Sequence, residues 1–232
     1  HEPEIKAEQF AKPCKENSSV RSYLRGLPTC GSGMVFRELV KILASARRAG
    51  RPLLIGLGAG VIEEGIAPVI VELMKRSLVS GIAMTGTAVF RDVEIAMTGG
   101  LLNSSGAGME TLLRSREAAE AINNGINCGA KENMGLGEAI GAYLNGRDFN
   151  YKDESILVSA GKYGIPVTAH LTIGSDTAHF LPTASGEAIG STAHLDFRIF
   201  SAQVAELQGG VYINSGSSET LPQVFMKALL VG

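Results

Sequence analysis

The sequence predicts an α/β fold, a parallel sheet flanked by helices, and three observations carry that prediction. Short apolar runs recur at 53–55, 82–84, 165–171 and 211–213, each too short for a typical helix and each followed by small or polar residues. Between them lie longer segments with apolar residues at helical spacing, and parallel strands need such crossover connections. Glycine is abundant, 29 of 232 residues, with clusters just after two of these runs, where the chain turns from strand towards helix.

Taken in order, residues 1–33 are polar and interrupted by Pro3, Pro13 and Pro28. They read as an N-terminal arm lying on the domain or on a partner subunit, with a short helix after Ser18 and Ser19. Residues 34–232 read as one α/β nucleotide-binding domain. Over 34–48, Val35, Phe36, Leu39, Val40, Leu43 and Ala46 recur at helical spacing, Arg47 and Arg48 suit the negative end of the helix dipole, and Gly50 can close the helix. The strand at 53–55 ends in the corner Gly56-Leu57-Gly58-Ala59-Gly60. Pro68, whose fixed φ suits a first helical position, opens a helix carrying Val69, Ile70, Leu73, Met74 and Leu78.

The strand at 82–84 runs into Thr85-Gly86-Thr87 and a helix over 88–97, after which 98–106 reads as a mobile loop or a join across missing residues. Helices are expected at 109–121, 135–144 and 153–162, and Gly137 and Gly141 in the second imply close approach to another backbone. The strand at 165–171 has Pro166 near its start, where a missing donor does least harm. A polar segment, 172–192, follows and holds Gly174-Ser175-Asp176-Thr177 and His179; so long a loop in a compact domain is more often functional than idle. Phe197, Phe200, Val204 and Leu207 mark a helix, 211–213 a strand and 221–230 a final helix.

Composition narrows the function. A net charge of −2 and a pI near 6.1 give no electrostatic argument for nucleic acid or an anionic membrane, and tryptophan is absent. No apolar run approaches the length that spans a bilayer, so a soluble protein is expected. Cys14, Cys30 and Cys128 are far apart and odd in number, which suggests reduced thiols in a cytoplasmic protein. A chain that begins with histidine is expected to be a fragment.

The functional expectation rests on the crevice beyond the carboxyl ends of the strands, where open parallel sheets bind ligands. Gly56, Gly58 and Gly60 let backbone approach a ligand, but the dinucleotide fingerprint wants glycine where Val61 stands, so a tight corner without a ligand is the competing reading. Glu63 and Glu64 would repel a pyrophosphate unless they turn to ribose hydroxyls. The turn after Ile213, with Glu219 ahead of Pro222, echoes the turn after Ile55, with Glu64 ahead of Pro68. Either each holds half of a dinucleotide, or parallel α/β units simply resemble one another.

His170, at a strand's carboxyl end, is a candidate general base or hydroxyl-binding residue, with His179 its rival and Asp176 a candidate partner; a structural histidine is the alternative for each. His170, His179 and His194 show no compact ligand spacing, so no metal is expected. No G-x-S-x-G elbow, P-loop or C-x-x-C occurs, and Lys75 and Lys227 read as solvated helix residues.

Three stretches resemble the deoxyhypusine synthase family, closest to its divergent synthase-like branch: RPLLIGLGAGVIEEGIAPVIVELMKRSLVSGIAMTGTAVFRDVEIA, DESILVSAGKYGIPVTAHLTIGSD and LDFRIFSAQVAELQGGVYINSGSS. The resemblance covers residues 34–97 and 150–230. It implies a Rossmann-like NAD-binding fold and a homotetramer or other homo-oligomer with NAD at subunit interfaces. It also implies a polyamine substrate, with aminobutyl transfer from spermidine through an enzyme lysine to a protein lysine. By it, Gly58, Ala59, Gly60, Thr85, Gly86, Thr87, Gly174, Ser175, Ser215, Gly216 and Ser217 border NAD. Where the family has a glycine triplet and a lysine-histidine pair, this chain has Ser215-Gly216-Ser217 and Ser218-Glu219. The family's polyamine-binding acid corresponds to the neighbourhood of Ala178, with Asp176 close by, and its catalytic lysine is expected beyond Gly232. Two other readings remain open: a different enzyme on the same sheet using His170 or His179 with Asp176, and a non-catalytic nucleotide-binding oligomer.

Overall fold

The structure, a computed structural model, describes residues 5–101 and 109–231. Most of the 98–106 stretch therefore lies outside the described residues. The chain forms two compact units, His1–Gly50 and Arg51–Gly232.

In the first unit, α1 (Val20–Gly26) is capped by Ser19, whose hydroxyl accepts from the Ser22 N–H at 3.2 Å. Helix α2 (Gly31–Arg48) is the amphipathic helix expected from 34, extended by one turn, and it falls on the arm's side of the unit boundary. Its Arg37 donates to the carbonyls of Arg25 and Leu27, both at 2.7 Å, which supplies partners that the end of α1 lacks within the helix. Ala46 is the buried residue of α2; Met34, Val35, Phe36, Leu39, Val40 and Ile42 are exposed.

The second unit alternates β1 (Leu53–Leu57), α3 (Ala59–Glu63), α4 (Ala67–Lys75), β2 (Gly81–Thr85), α5 (Gly86–Thr98), α6 (Met109–Glu132), α7 (Leu136–Asn145), α8 (Ile156–Tyr163), β3 (Val167–His170), α9 (Gly186–Ala205), β4 (Val211–Ser215) and α10 (Thr220–Val231). The four strands are parallel in the order β3-β2-β1-β4. Side chains alternate across the sheet. Ile55, Leu57, Ile82, Met84, Val167 and Ala169 enter the larger core with α4, α5, α7 and α8, whereas Leu54 and Ala83 enter a smaller one with Phe200 and Val204 of α9 and Leu221 and Ala228 of α10. Both faces are covered, which is why the strands read as unbroken apolar runs.

Two differences from the sequence reading have physical causes. Helix α6 runs on to Glu132, well past residue 121. Helix α9 begins at Gly186, capped by the Ser185 hydroxyl, inside what reads as a polar loop. Its buried face there is Ala188, Ile189, Thr192 and Asp196, half of it polar, so hydrophobic periodicity does not reveal it. The close approach expected of Gly137 and Gly141 is present: an added Cβ would stand 2.6 Å from the Val167 carbonyl oxygen and 2.5 Å from that of Leu157.

Buried carboxylates fix two helices. Asp92 of α5 accepts from the Ser155 hydroxyl at 2.6 Å and from the N–H groups of Ile156 and Leu157 at 2.8 and 3.1 Å, sealing the N-terminus of α8. Burial pushes its carboxyl up to about 6, against these donors. Asp196 of α9 accepts from the N–H groups of Gly137 and Ala169 at 2.9 and 2.6 Å, joining α7 to β3, and burial pushes it up to about 7. Among the described residues no helix is long and apolar enough to cross a membrane.

Candidate functional site

The strand order places a topological switch between β1 and β4: the chain leaves β1 towards β2 on one side, and returns from β3 to β4 on the other. Four loops leave the carboxyl ends of the strands there and enclose a cleft of about 280 Å³. Ala59 comes from the loop after β1, Thr85, Gly86 and Thr87 from that after β2, and Thr172, Ser175 and Asp176 from that after β3. The fourth loop adds Gly216, Ser217, Ser218, Glu219 and Thr220.

Glycine makes this convergence feasible. The Gly58 N–H continues the β1–β4 ladder by donating to the Ser215 carbonyl at 2.8 Å. A Cβ on Gly58 would strike the Gly216 carbonyl, and Gly216 itself has φ +76°, a left-handed conformation that favours glycine. Asn214 then donates to the Ser217 carbonyl at 2.6 Å, and the Ser217 hydroxyl accepts from the Leu221 N–H at 3.1 Å, fixing the start of α10. Thr85 caps α5 by accepting from the Ala88 N–H at 3.2 Å. No side chain caps α3.

Asp176 sits on the inner wall. It is buried, its Oδ2 accepts from the Thr172 N–H at 2.6 Å, and its Oδ1 accepts from the Thr87 hydroxyl at 3.4 Å. A Cβ on Gly86 would overlap the carboxylate, so glycine in the Thr85-Gly86-Thr87 turn makes room for the acid. Asp176 also borders a second cavity, of about 350 Å³, shared with Thr87 and walled by Val89, Phe90, Arg91, Ile122, Leu171 and His179. Both ring nitrogens of His179 are buried and have no hydrogen-bond partner among the described residues.

The residues singled out from sequence thus fall into four groups. Ala59, Thr85, Gly86, Thr87, Ser175, Asp176, Gly216 and Ser217 line the cleft, and His179 lines the neighbouring cavity. Gly58 and Ser215 hold the two loops together beneath it. Gly60 and Gly174 have open space around them, and neither lines either cavity. His170 lies elsewhere: it is buried, its ring meets Phe200 edge-on at 5.2 Å, and its Nε2 is 3.1 Å from the Thr168 hydroxyl. Burial lowers its pKa to about 4.

Glu63 does not face the cleft; it accepts from Arg91 at 2.8 Å, and Glu64 ends α3. Their expected repulsion of a phosphate therefore does not arise in the cleft. Sequence reasoning passed over Thr172, Ser218 and Thr220, which carry no motif, and the Arg91–Glu63–Glu94 cluster, whose members are distant or only three residues apart. The acid ahead of a proline was the available signal for Glu219.

A scan against protein-family models and a search of curated proteins give no match. Among solved structures, a candidate deoxyhypusine synthase from Entamoeba histolytica superposes with a TM-score of 0.56 at 12% identity, over 95% of this chain and 96% of that one. ArgZ in its apo form, an arginine dihydrolase of the cyanobacterial ornithine–ammonia cycle, superposes with a TM-score of 0.55 at 14% identity over 84% of this chain. The chain spans only 25% of the length of ArgZ. These likenesses establish a Rossmann-like α/β fold.

Proposed function

We propose that the chain binds NAD in the cleft at the β1–β4 switch and acts on an amine held beside it in the second cavity. The observation that carries this reading is the meeting of Ala59, Thr87 and Ser217, from three separate strand ends, on one cleft whose inner wall is a fixed carboxylate. Glycine at 58 and 216 lets the loops after β1 and β4 approach each other at the base of the cleft, and Glu219 and Asp176 suit ribose hydroxyls or an ammonium. The described residues fit such a group although no lysine or arginine stands among the described cleft lining, because backbone and hydroxyl donors can serve phosphate oxygens.

NAD, when bound, supplies an acceptor for hydride. The chain's own part is positional. Asp176 orients an ammonium, the apolar wall of the second cavity excludes water, and a His179 ring nitrogen without a protein partner can take a proton. The resemblance to deoxyhypusine synthase extends this reading to aminobutyl transfer from a polyamine by a homo-oligomer. The exposed apolar residues of α2 support subunit contact.

Titration of the intact protein with NADH, followed by calorimetry, tests the cofactor. One site per chain is expected, with affinity lost in Gly58→Ala; absence of NADH binding would sink the reading. Native mass spectrometry gives the subunit count alongside it.

A further inference from the structure

Among their described residues the cleft and the second cavity share Gly86, Thr87 and Asp176. Gly86 has no side chain, so the shared wall presents one hydroxyl and one carboxylate, and these are hydrogen-bonded to each other.

The two oxygens of Asp176 are held unequally. Oδ2 accepts from the Thr172 N–H at 2.6 Å, and that donor belongs to a turn in which the Ser175 and Asp176 N–H groups both donate to the Thr172 carbonyl, at 3.0 and 3.1 Å. Oδ1 accepts from the Thr87 hydroxyl at 3.4 Å, long for an O–H···O bond, and the donor is a rotor on an exposed residue. The first bond locks the carboxylate in place; the second is the one that can be exchanged.

A hydroxyl has one hydrogen to donate. Directed at Asp176, it does not serve an anion in the cleft. Directed at a phosphate-like oxygen there, it leaves Oδ1 open to a cation, whose bond to a carboxylate is short and charge-assisted. Charge works in the same sense: Asp176 and Glu219 both line the cleft and oppose an anion, and an ammonium on Asp176 cancels part of that repulsion.

We infer that Thr87 couples the two spaces: an anion in the cleft takes its hydroxyl hydrogen, and Asp176, released at Oδ1, holds an ammonium in the second cavity more tightly. By linkage the ammonium strengthens the anion by the same factor. The inference rests on the cofactor and amine reading proposed above and adds that the two ligands assist each other, whichever arrives first.

Calorimetric titration of the full chain tests it, with 1,4-diaminobutane measured in the absence and presence of a saturating cleft ligand, NADH in one series and inorganic pyrophosphate in another. Each anion is expected to tighten the amine about tenfold, and the amine to tighten each anion equally. The readout is the ratio of the two amine affinities within one variant, so a change in either ligand's own affinity does not enter. The ratio should fall to about threefold or less in Thr87→Val, which keeps the shape without the hydroxyl, and return in Thr87→Ser. Thr87 is exposed, so neither substitution opens the core. Equal ratios in all three proteins overturn the inference, as does a loss that Thr87→Ser does not restore. If NADH does not bind but pyrophosphate does, with the ratio intact, the cofactor reading falls and the coupling stands. If both anions bind without altering the amine, the coupling falls and the cofactor reading stands; if neither anion binds, both fall.

Discussion

Helix N-termini in the second unit contrast in how they are finished. Those of α7 and α8 are buried and closed by carboxylates reaching in from other helices, Asp196 and Asp92. That of α3, beside the cleft, has glycine at its N-cap and no side-chain cap. Orphan N–H groups in the interior must be given acceptors because water cannot reach them, whereas N–H groups at a cleft can be left for solvent or a guest. The contrast is one of burial, since α5 and α10, which also start at the cleft, have hydroxyl partners in Thr85 and Ser217.

The largest expected effect lies on the closed side. Asp92→Ala would leave the Ser155 hydroxyl and the N–H groups of Ile156 and Leu157 without their acceptor in a fully buried place. A loss of about 3–5 kcal/mol in urea denaturation is expected. A loss below about 1 kcal/mol would mean that the α8 terminus is not sealed in the way described.

On the open side, Gly58→Ala pushes a methyl into the Gly216 carbonyl, so two loops must part. Stability should fall by about 1–3 kcal/mol, and NADH affinity by at least about tenfold. Gly60→Ala is the internal comparison. Its added Cβ meets nothing within 4 Å, it lies within α3, and alanine is the better helix former, so stability should hold or rise slightly. Equal damage from both substitutions would show that the chain's tolerance there has nothing to do with the approach of the loops.

This contrast also explains what could be seen in the sequence. Strands, their parallel arrangement and the corners after Ile55, Met84 and Ile213 were legible because glycine, threonine and apolar runs act locally. Gly137 and Gly141 were legible as contacts, though not their partners. Asp92 and Asp196 were not legible as caps, since each closes a helix that is distant in the chain. His170 was legible as the end of a strand but not by its face, since the strand's alternation turns this side chain towards Phe200. Asp176 and His179 could be singled out from a polar loop, whereas the cavity around them is built by α5 and α6 residues that read as ordinary helix.

Stability against pH sharpens the comparison, because the sealed termini depend on buried carboxyls. A carboxyl whose folded pKa is raised binds more protons in the native than in the unfolded chain, so its contribution is full below the ordinary value, 3.8, and lost as pH rises through about 6 for Asp92 and about 7 for Asp196. His170 works the other way. Lowered to about 4 from 6.5, it makes the native state gain stability as pH rises across that interval, partly cancelling the carboxyls. The clean window is therefore above 6.5, where calorimetric melting temperature should fall up to about pH 8 and then level off. Asp196→Asn should flatten that fall, although one Asn head-group atom would sit where Asp196 Oδ1 now has no partner. A wild-type melting temperature rising over this interval would contradict the assigned burial.

The smallest effects discriminate best, because they compare two serines doing the same local work. Ser185 and Ser217 each accept a backbone N–H near a helix start, from Ala188 at 3.2 Å and from Leu221 at 3.1 Å. Only Ser217 also lines the cleft. Alanine at either position should cost about 1 kcal/mol in urea denaturation, the usual worth of a side-chain acceptor for an orphan N–H at a helix start. Saturating NADH should still raise the melting temperature of Ser185→Ala as it does the parent's, but raise that of Ser217→Ala less, since a ligand stabilises only through its affinity for the native state. If both variants respond to NADH alike, the start of α10 serves the fold alone, and the nucleotide would have to rest on the loops after β1, β2 and β3.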